Sequence, residues 1–406
     1  MSGLLNGIRV VELASWTYVP CGGAALADWG AEVIKVEDTT GGDPCRNLVV
    51  GGLTPESSPV RANFMMELGN HGKRSIGVNI KSERGRAIIG KLIASADVFL
   101  TNWLPGPLER AGLTVPQIRE FNPKVVIARG SGHGSRGAER DRGGFDAASY
   151  MARAGVAYAL SPSDVEYPVT QGPAFGDLQG GITLAGGIAA ALFHRERTGR
   201  APIVDSSLLA QGMWAIAPDI GAADYYGVDR IPAGPAGTAL NPAVNRYQTR
   251  DGRWVQLMLL QTDRFWQGFC ERIGRPDLAT DERFVPLSNL VANQEAATAE
   301  LRRTFAERDL SEWQKTLADE PAVWATLASP REVLDDPQVA ANGYLMDVTD
   351  DAGKHYRTVC APVQFDETPP PPSRSPEYGE HTETILLELG LDWDDIIAAK
   401  DDGAIL

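Results

Sequence analysis

The sequence predicts an α/β protein with a parallel-sheet domain, a smaller inserted domain and a tail that returns to the first. Three observations predict it. Over roughly the first 130 residues, short β-rich runs alternate with helical patterns. From Gly221 to Asn245 the composition shifts to Gly, Ala and Pro, which marks an irregular linker. The chain has 406 residues, 43% of them hydrophobic and 22% charged, enough to bury two cores. The expected spans are residues 1–220 for the first part of the large domain, 221–340 for linker and small domain, and 341–406 for the returning segment.

The elements follow in order. Ile8 to Leu13, Glu32 to Val36, Ser75 to Val78, Val98 to Thr101 and Val125 to Ala128 are strand candidates. Between them Gly22 to Trp29 and Arg84 to Ala94 read as helices, the second with Ser82 as its cap. Thr114, Pro116 and Gln117 open another helix. Ile182 to Phe193 carries apolar residues at spacings of three and four, which predicts a long helix over Gly181 to Arg195. Thr198 to Pro202 reads as a turn, Ile203 to Ser206 as a strand, and Ser207 to about Ala217 as a helix. Beyond the linker, Arg246 to Leu259 reads as a strand pair turning at Asp251-Gly252. Helices follow around Arg264 to Ile273, Asn293 to Arg308 and Ser311 to Asp319. Pro369 to Pro372 is an extended segment, and Thr382 to Leu389 and Trp393 to Ala399 are short helices.

Charge and composition narrow the partners. A net charge of −15 argues against nucleic acid or an anionic membrane surface. No run approaches the ~18–20 apolar residues of a membrane span. Met1 to Gly7 lacks the basic start and apolar core of a secretory leader, and Cys21, Cys45, Cys270 and Cys360 have no CxxC or zinc spacing. Both point to a reduced, cytoplasmic protein. The five histidines form no ligand cluster, so no metal is expected.

The strongest functional signal is Gly176-Asp177-Leu178-Gln179-Gly180-Gly181, a carboxylate among glycines at the start of the long helix. The helix N-terminus favours an ionised Asp177 there, and the flanking glycines permit close approach of a ligand. Asp177 is therefore either a nucleophile or a helix N-cap. Asn70 to Ser75 is a basic turn whose Lys73 and Arg74 suit phosphates. Asn102 and Trp103, with Arg110 nearby, offer an amide, an aromatic face and a cation after a strand, where open α/β sheets bind ligands. Gly132 to Gly137 matches GxGxxG, but a polar loop follows it instead of the helix that a pyrophosphate site needs. His133 in that loop has no partner in view. Glu380, His381 and Thr382 read as helix capping.

Taken together these residues make the chain resemble a class III (CaiB/BaiF, formyl-CoA transferase-type) CoA-transferase. The resemblance rests on Leu5 to Leu13, Gly30 to Glu37, Gly42-Asp43-Pro44, Gly72 to Ile76, Asn102 to Gly106 with Arg110, Gly144-Phe145-Asp146, Gly176-Asp177, Asp335 to Val339 and Gly379 to Thr382, all in family order. It implies a Rossmann-like large domain, a smaller α+β domain and an interlocked homodimer. It implies an enzyme that moves CoA from an acyl-CoA thioester to a carboxylic acid through aspartyl-anhydride and aspartyl-CoA intermediates. CoA is then a co-substrate, with no tightly bound cofactor. The nucleophile falls at Asp177, and CoA near Thr17, Tyr18, Lys73, Arg74, Asn102, Trp103, Arg110 and Asp146. Asp38 stands where formyl-CoA transferase has an arginine. The glycine loop that covers the reacting group in that enzyme is not evident around Gly234 to Gly237.

Three rivals remain, one of them a non-enzymatic CoA-binding protein that would leave Asp177 structural. An α-methylacyl-CoA racemase of the same superfamily carries a histidine just before the residue matching Asp146, and here that residue is Phe145, which moves no proton. A nicotinamide-dependent oxidoreductase rests on Gly132 to Gly137 alone.

Overall fold

A computed structural model describes residues 3–48, 63–231, 239–349 and 353–406; the Gly234 to Gly237 loop lies outside them. The chain divides into two units. One comprises Met1–Tyr158, Thr170–Ile220 and Pro337–Leu406, the other Ala159–Val169 and Gly221–Asp336.

The first unit is built on six strands: β1 (Arg9–Leu13), β2 (Glu32–Glu37), β3 (Arg74–Gly77), β4 (Val98–Thr101), β5 (Val126–Ser131) and β6 (Ile203–Ser207). They form one sheet in the order β3-β2-β1-β4-β5-β6, and every pairing is parallel. This is the doubly wound order of dinucleotide-binding folds. Its helices include α1 (Tyr18–Asp28), α2 (Phe64–Asn70), α3 (Glu83–Ala94), α4 (Pro105–Ala111), α5 (Val115–Phe121), α6 (Val156–Leu160), α7 (Phe175–Thr198), α8 (Leu208–Ala215) and the two C-terminal helices, Thr382–Glu388 and Trp393–Asp401.

Strand residues alternate between two cores, as a period of two requires. Val11, Ile34, Phe99 and Ile127 face α3, α4, α5 and the C-terminal helices. Val10, Val33, Val98 and Val126 face α1, α7 and α8. With both faces covered, the strands read as continuous apolar runs. Ser82 accepts from the Gly85 N–H at 3.0 Å to cap α3, and Thr114 with Gln117 forms a capping box on α5. The chain ends on the sheet, where Ile405 bridges to Val78.

The second unit has an antiparallel sheet of β7 (Arg246–Gln248), β8 (Trp254–Met258) and β9 (Val323–Thr326). Its core includes Tyr247, Trp266, Phe269, Phe305 and Trp313.

Some elements differ from expectation. The linker from Gly221 is helical at its start, because the helix Ala217–Tyr226 runs into it. It is amphipathic too weakly to show in the periodicity. A π-helical turn, Asp146–Arg153, was not expected. Helix α7 begins at Phe175, six residues before the expected start. Glu380 does not cap a helix: it pairs with Arg374 at 2.6 Å, while Thr382 Oγ1 accepts from the Gly77 N–H.

Helices α1 and α7 cross on glycine. A Cβ on Gly181 would lie 2.8 Å from Cys21 Cβ and 2.9 Å from the Gly22 nitrogen; one on Gly180 would lie 2.5 Å from the Tyr18 ring. The expectation that these glycines admit a ligand is corrected: they admit another helix. Gly181→Ala is expected to destabilise the protein by about 1–3 kcal/mol through overpacking. Gly186→Ala on the same helix, where a Cβ meets nothing within 4 Å, should be neutral or stabilising. Urea unfolding of the two variants checks this contrast.

Candidate active site

Besides a cavity of about 190 Å³ against α4 and α5, whose lining includes Trp103, Leu104, Leu108, Arg129, Gly130, Ser131 and Arg140, two cavities open along the carboxyl edge of the sheet, where strands end and loops diverge. The larger, about 280 Å³, is lined by Ser15, Trp16, Tyr18, Asn102, Trp103, Leu104, Gly130 to Gly132, Gly143, Gly144, Phe145, Asp177 and Leu208. The smaller lies beside it, against Ser15, Asp38, Gly42, Asp43, Val78, Ile80 and Trp103. Ser15 and Trp103 line both. His133 lines neither.

Asp177 sits in the first turn of α7, after Phe175 and Gly176. It is not the N-cap. The free amides of that turn are taken by Asp146, whose Oδ1 and Oδ2 accept from the Gly176 N–H at 3.1 and 3.2 Å. A residue 30 positions away thus does the capping, and the Asp177 carboxylate makes no hydrogen bond among the described residues. Gly176 is required here, because a Cβ would lie 2.3 Å from Tyr150 Cγ and 2.7 Å from Asp146 Oδ1. Ala174, just before the helix, adopts φ 60°.

The helix N-terminus does not favour an ionised Asp177 as expected. Burial, and then the charge of Asp146, push its carboxyl up to about 7. The amides that would have favoured the carboxylate are spent on Asp146. Burial raises Asp146 itself, against the bonds from Gly176 and Phe175. Tyr18 is buried with its hydroxyl donating to Ser206 Oγ at 2.8 Å, and burial raises its phenol, with Asp177 adding to the effect.

The loop after β1 is held from two sides. Asn102 Nδ2 donates to the Ser15 carbonyl at 2.6 Å and its Oδ1 accepts from the Ser15 N–H at 3.2 Å. Asp43 Oδ1 accepts from the Trp16 N–H at 2.9 Å. Asp43 is itself fixed by Lys35 at 2.7 Å, and Lys35 by Glu12 at 3.4 Å. Thr17 is buried at the start of α1.

The basic turn is placed elsewhere. Lys73 and Arg74 stand at the amino end of β3, away from the carboxyl-edge cavities, and line neither. The Lys73 ammonium is fully buried between Glu12 Oε1 and Oε2 (2.8 and 2.7 Å), the Pro20 carbonyl (2.9 Å) and Asn70 Oδ1 (3.2 Å). Burial draws its pKa down to about 8 against the pull of Glu12. Arg74 forks onto Glu388 at 2.8 and 2.9 Å and reaches Glu32 at 2.6 Å. Their expected phosphate contacts therefore give way to structural ion pairs. Arg110 is exposed near the end of α4, with no ion pair among the described residues. Sequence reasoning missed Lys81, exposed just after Ile80 of the smaller cavity and likewise without an ion pair. Its place past the carboxyl end of a strand was the available signal.

A cavity at the carboxyl edge of a doubly wound sheet, with one unpaired carboxylate inside, is where α/β enzymes of this strand order bind their ligands. The model of CoA-transferase family III matches residues 5–382. The chain is 33% identical over 403 residues to the (R)-2-hydroxy-4-methylpentanoate CoA-transferase of Clostridioides difficile, covering 99% of both. It is 31% identical to the cinnamoyl-CoA:phenyllactate CoA-transferase of Clostridium sporogenes, covering 100% of this chain and 98% of that one. A CaiB/BaiF family protein from Brucella suis superposes with a TM-score of 0.80 at 29% identity, over 96% of this chain and 100% of that one. The chain belongs to CoA-transferase family III and is a CoA-transferase, moving CoA from an acyl-CoA to a carboxylic acid.

Proposed function

We propose that Asp177 is the nucleophile of this transfer. The observation that carries the reading is its placement: the only charged side chain among the described residues lining the larger cavity, without a hydrogen bond to occupy it. A carboxylate oxygen of Asp177 attacks the thioester carbonyl, the carbon–sulfur bond breaks, and CoA leaves as thiolate from a mixed anhydride. The thiolate then attacks the Asp177 carbonyl, releasing the donor acid and leaving an aspartyl-CoA thioester. The acceptor carboxylate attacks that thioester, and the returning thiolate takes the new acyl group. Each step is an acyl transfer easier than direct exchange. The glycine-lined wall brings backbone amides close to the developing oxyanions.

Asp146 acts as a positioning residue for Asp177, by capping α7. Thr17, Tyr18, Asn102 and Trp103 shape the path of CoA between the two cavities, Asn102 by fixing the Ser15 loop. Arg110 and Lys81 supply the cations for the CoA phosphates, in place of Lys73 and Arg74. The protein works as an interlocked homodimer in the cytoplasm. Support for the dimer comes from Trp214 on α8, 81% exposed, and from Tyr225 and Tyr226 on the following helix, 81% and 74% exposed.

Asp177→Asn is expected to fold, bind CoA and transfer nothing, and the wild type incubated with acyl-CoA and hydroxylamine should carry a hydroxamate at Asp177. Near wild-type exchange by the Asn variant would end this reading. Only the ionised carboxylate attacks, so kcat/KM should rise with pH through an ionisation near 7. Asp146→Asn keeps an acceptor but removes the neighbouring charge, so its profile should move to lower pH.

Lys81→Ala and Arg110→Ala should each weaken CoA binding about ten-fold or more, since charge-assisted contacts are worth ~1.5–3 kcal/mol. Lys73→Ala should act first on stability, by about 3–5 kcal/mol, because it removes the close partner of buried Glu12 and leaves it only the 3.4 Å contact to Lys35. Calorimetric titration with CoA and thermal unfolding separate the two classes. Light scattering should give twice the chain mass; a fully active monomer refutes the dimer.

A further inference from the structure

Two aromatic side chains stand beside Asp177 in the larger cavity. Trp16 and Phe145 pack edge to face, ring centroids 5.6 Å apart and planes at 90°. Phe145 is nonetheless 60% exposed and Trp16 36%. Trp16 also adopts φ 67°, a left-handed conformation that a bulky residue rarely takes. The Asp43 bond to its N–H and the Asn102 bonds to Ser15 hold it there. Strain that the surroundings maintain, at a site where large apolar surface stays open, points to a role in binding.

The rest of the lining sets the chemistry. Tyr18, Leu104 and Leu208 add apolar surface, and the glycines add backbone. Among the described residues lining the cavity there is no Lys, Arg or His, and Asp177 is the one charge. A second carboxylate on a substrate would meet no cation here and would be repelled by Asp177, with Asp146 behind it. Ser15 and Trp103 continue into the smaller cavity, beyond which Lys81 lies, and Trp103, Leu104, Gly130 and Ser131 continue into the cavity against α4, the helix of Arg110; the CoA arm leaves on this side, toward the two cations. The acyl group, on the other side of the thioester carbonyl, is left with the Trp16–Phe145 wall.

We propose that the acyl group transferred is that of a bulky hydrophobic monocarboxylic acid, seated against Trp16 and Phe145, and that this aromatic pair sets acyl specificity. The proposal rests on the reading of Asp177 as nucleophile. Dicarboxylic acids are excluded by charge, not by size.

The test compares 3-phenylpropionyl-CoA with succinyl-CoA on the full-length enzyme, following CoA release and hydroxamate formation at Asp177. The expected result is an apparent second-order rate constant for this single-turnover trapping about a hundred-fold or more higher with the phenylpropionyl donor than with succinyl-CoA. Phe145→Ala, at an exposed position where folding is undisturbed, should lower the phenylpropionyl value about ten-fold or more and narrow the ratio. Trp16→Gly, which relieves the positive φ, should do the same. Succinyl-CoA reacting as fast as the phenylpropionyl donor, or both variants leaving the ratio unchanged, overturns the proposal while Asp177 still traps. No hydroxamate at Asp177 from either donor overturns the nucleophile assignment and this proposal with it.

Discussion

A buried chain of charges holds the carboxyl edge of this sheet in place. Glu12 on β1 lies between Lys35 on β2 and Lys73 ahead of β3; Lys35 passes the connection on to Asp43, and Asp43 to the Trp16 backbone. All four side chains are buried. At Lys35, burial lowers the pKa but Asp43 and Glu12 outweigh it, so the ammonium stays charged. Removing one partner strands another without water, at a cost of about 3–5 kcal/mol. Gly23 on α1 makes room for the chain, because a Cβ there would sit 2.0 Å from Glu12 Oε2. Strand order, the entry of α1 and the loop beside Asp177 therefore depend on one network.

The second constraint is the crossing of α1 and α7. Gly22, Gly180 and Gly181 let the backbones approach, with a Gly22 Cβ only 3.0 Å from the Gly181 carbonyl oxygen. That approach fixes the start of α7 beside Tyr18, and Asp146 completes it by capping. Asp177 is thereby half-buried, next to a second carboxylate and deprived of the amides that would have charged it. A carboxyl poised near 7 is ionised enough to attack around neutral pH, and more basic than a solvated aspartate.

Two stretches of the proposed site were visible in the chain. Gly176-Asp177 stood out because carboxylate, glycine and helix start coincide, and Asn102-Trp103 because it follows a strand. Lys73 and Arg74 misled for a physical reason. A Lys-Arg pair in a turn has the same local pattern whether it meets phosphate or a carboxylate brought from β1 or the C-terminal helix. Glu12 and Glu388 are 61 and 314 residues from their partners, Lys73 and Arg74, and no local window contains them. The same holds for Asp146, which caps a helix 30 residues on.

By itself the sequence determined the alternation of strands and helices, because apolar periodicity is a local property. It also determined the family, because motif order survives divergence. Only the tertiary structure decided which carboxylate caps α7 and which is left free, which cations are spent on ion pairs, and that the glycines around Asp177 admit a helix. Those outcomes depend on distances between segments far apart in the chain, which are fixed when the two faces of the sheet are covered.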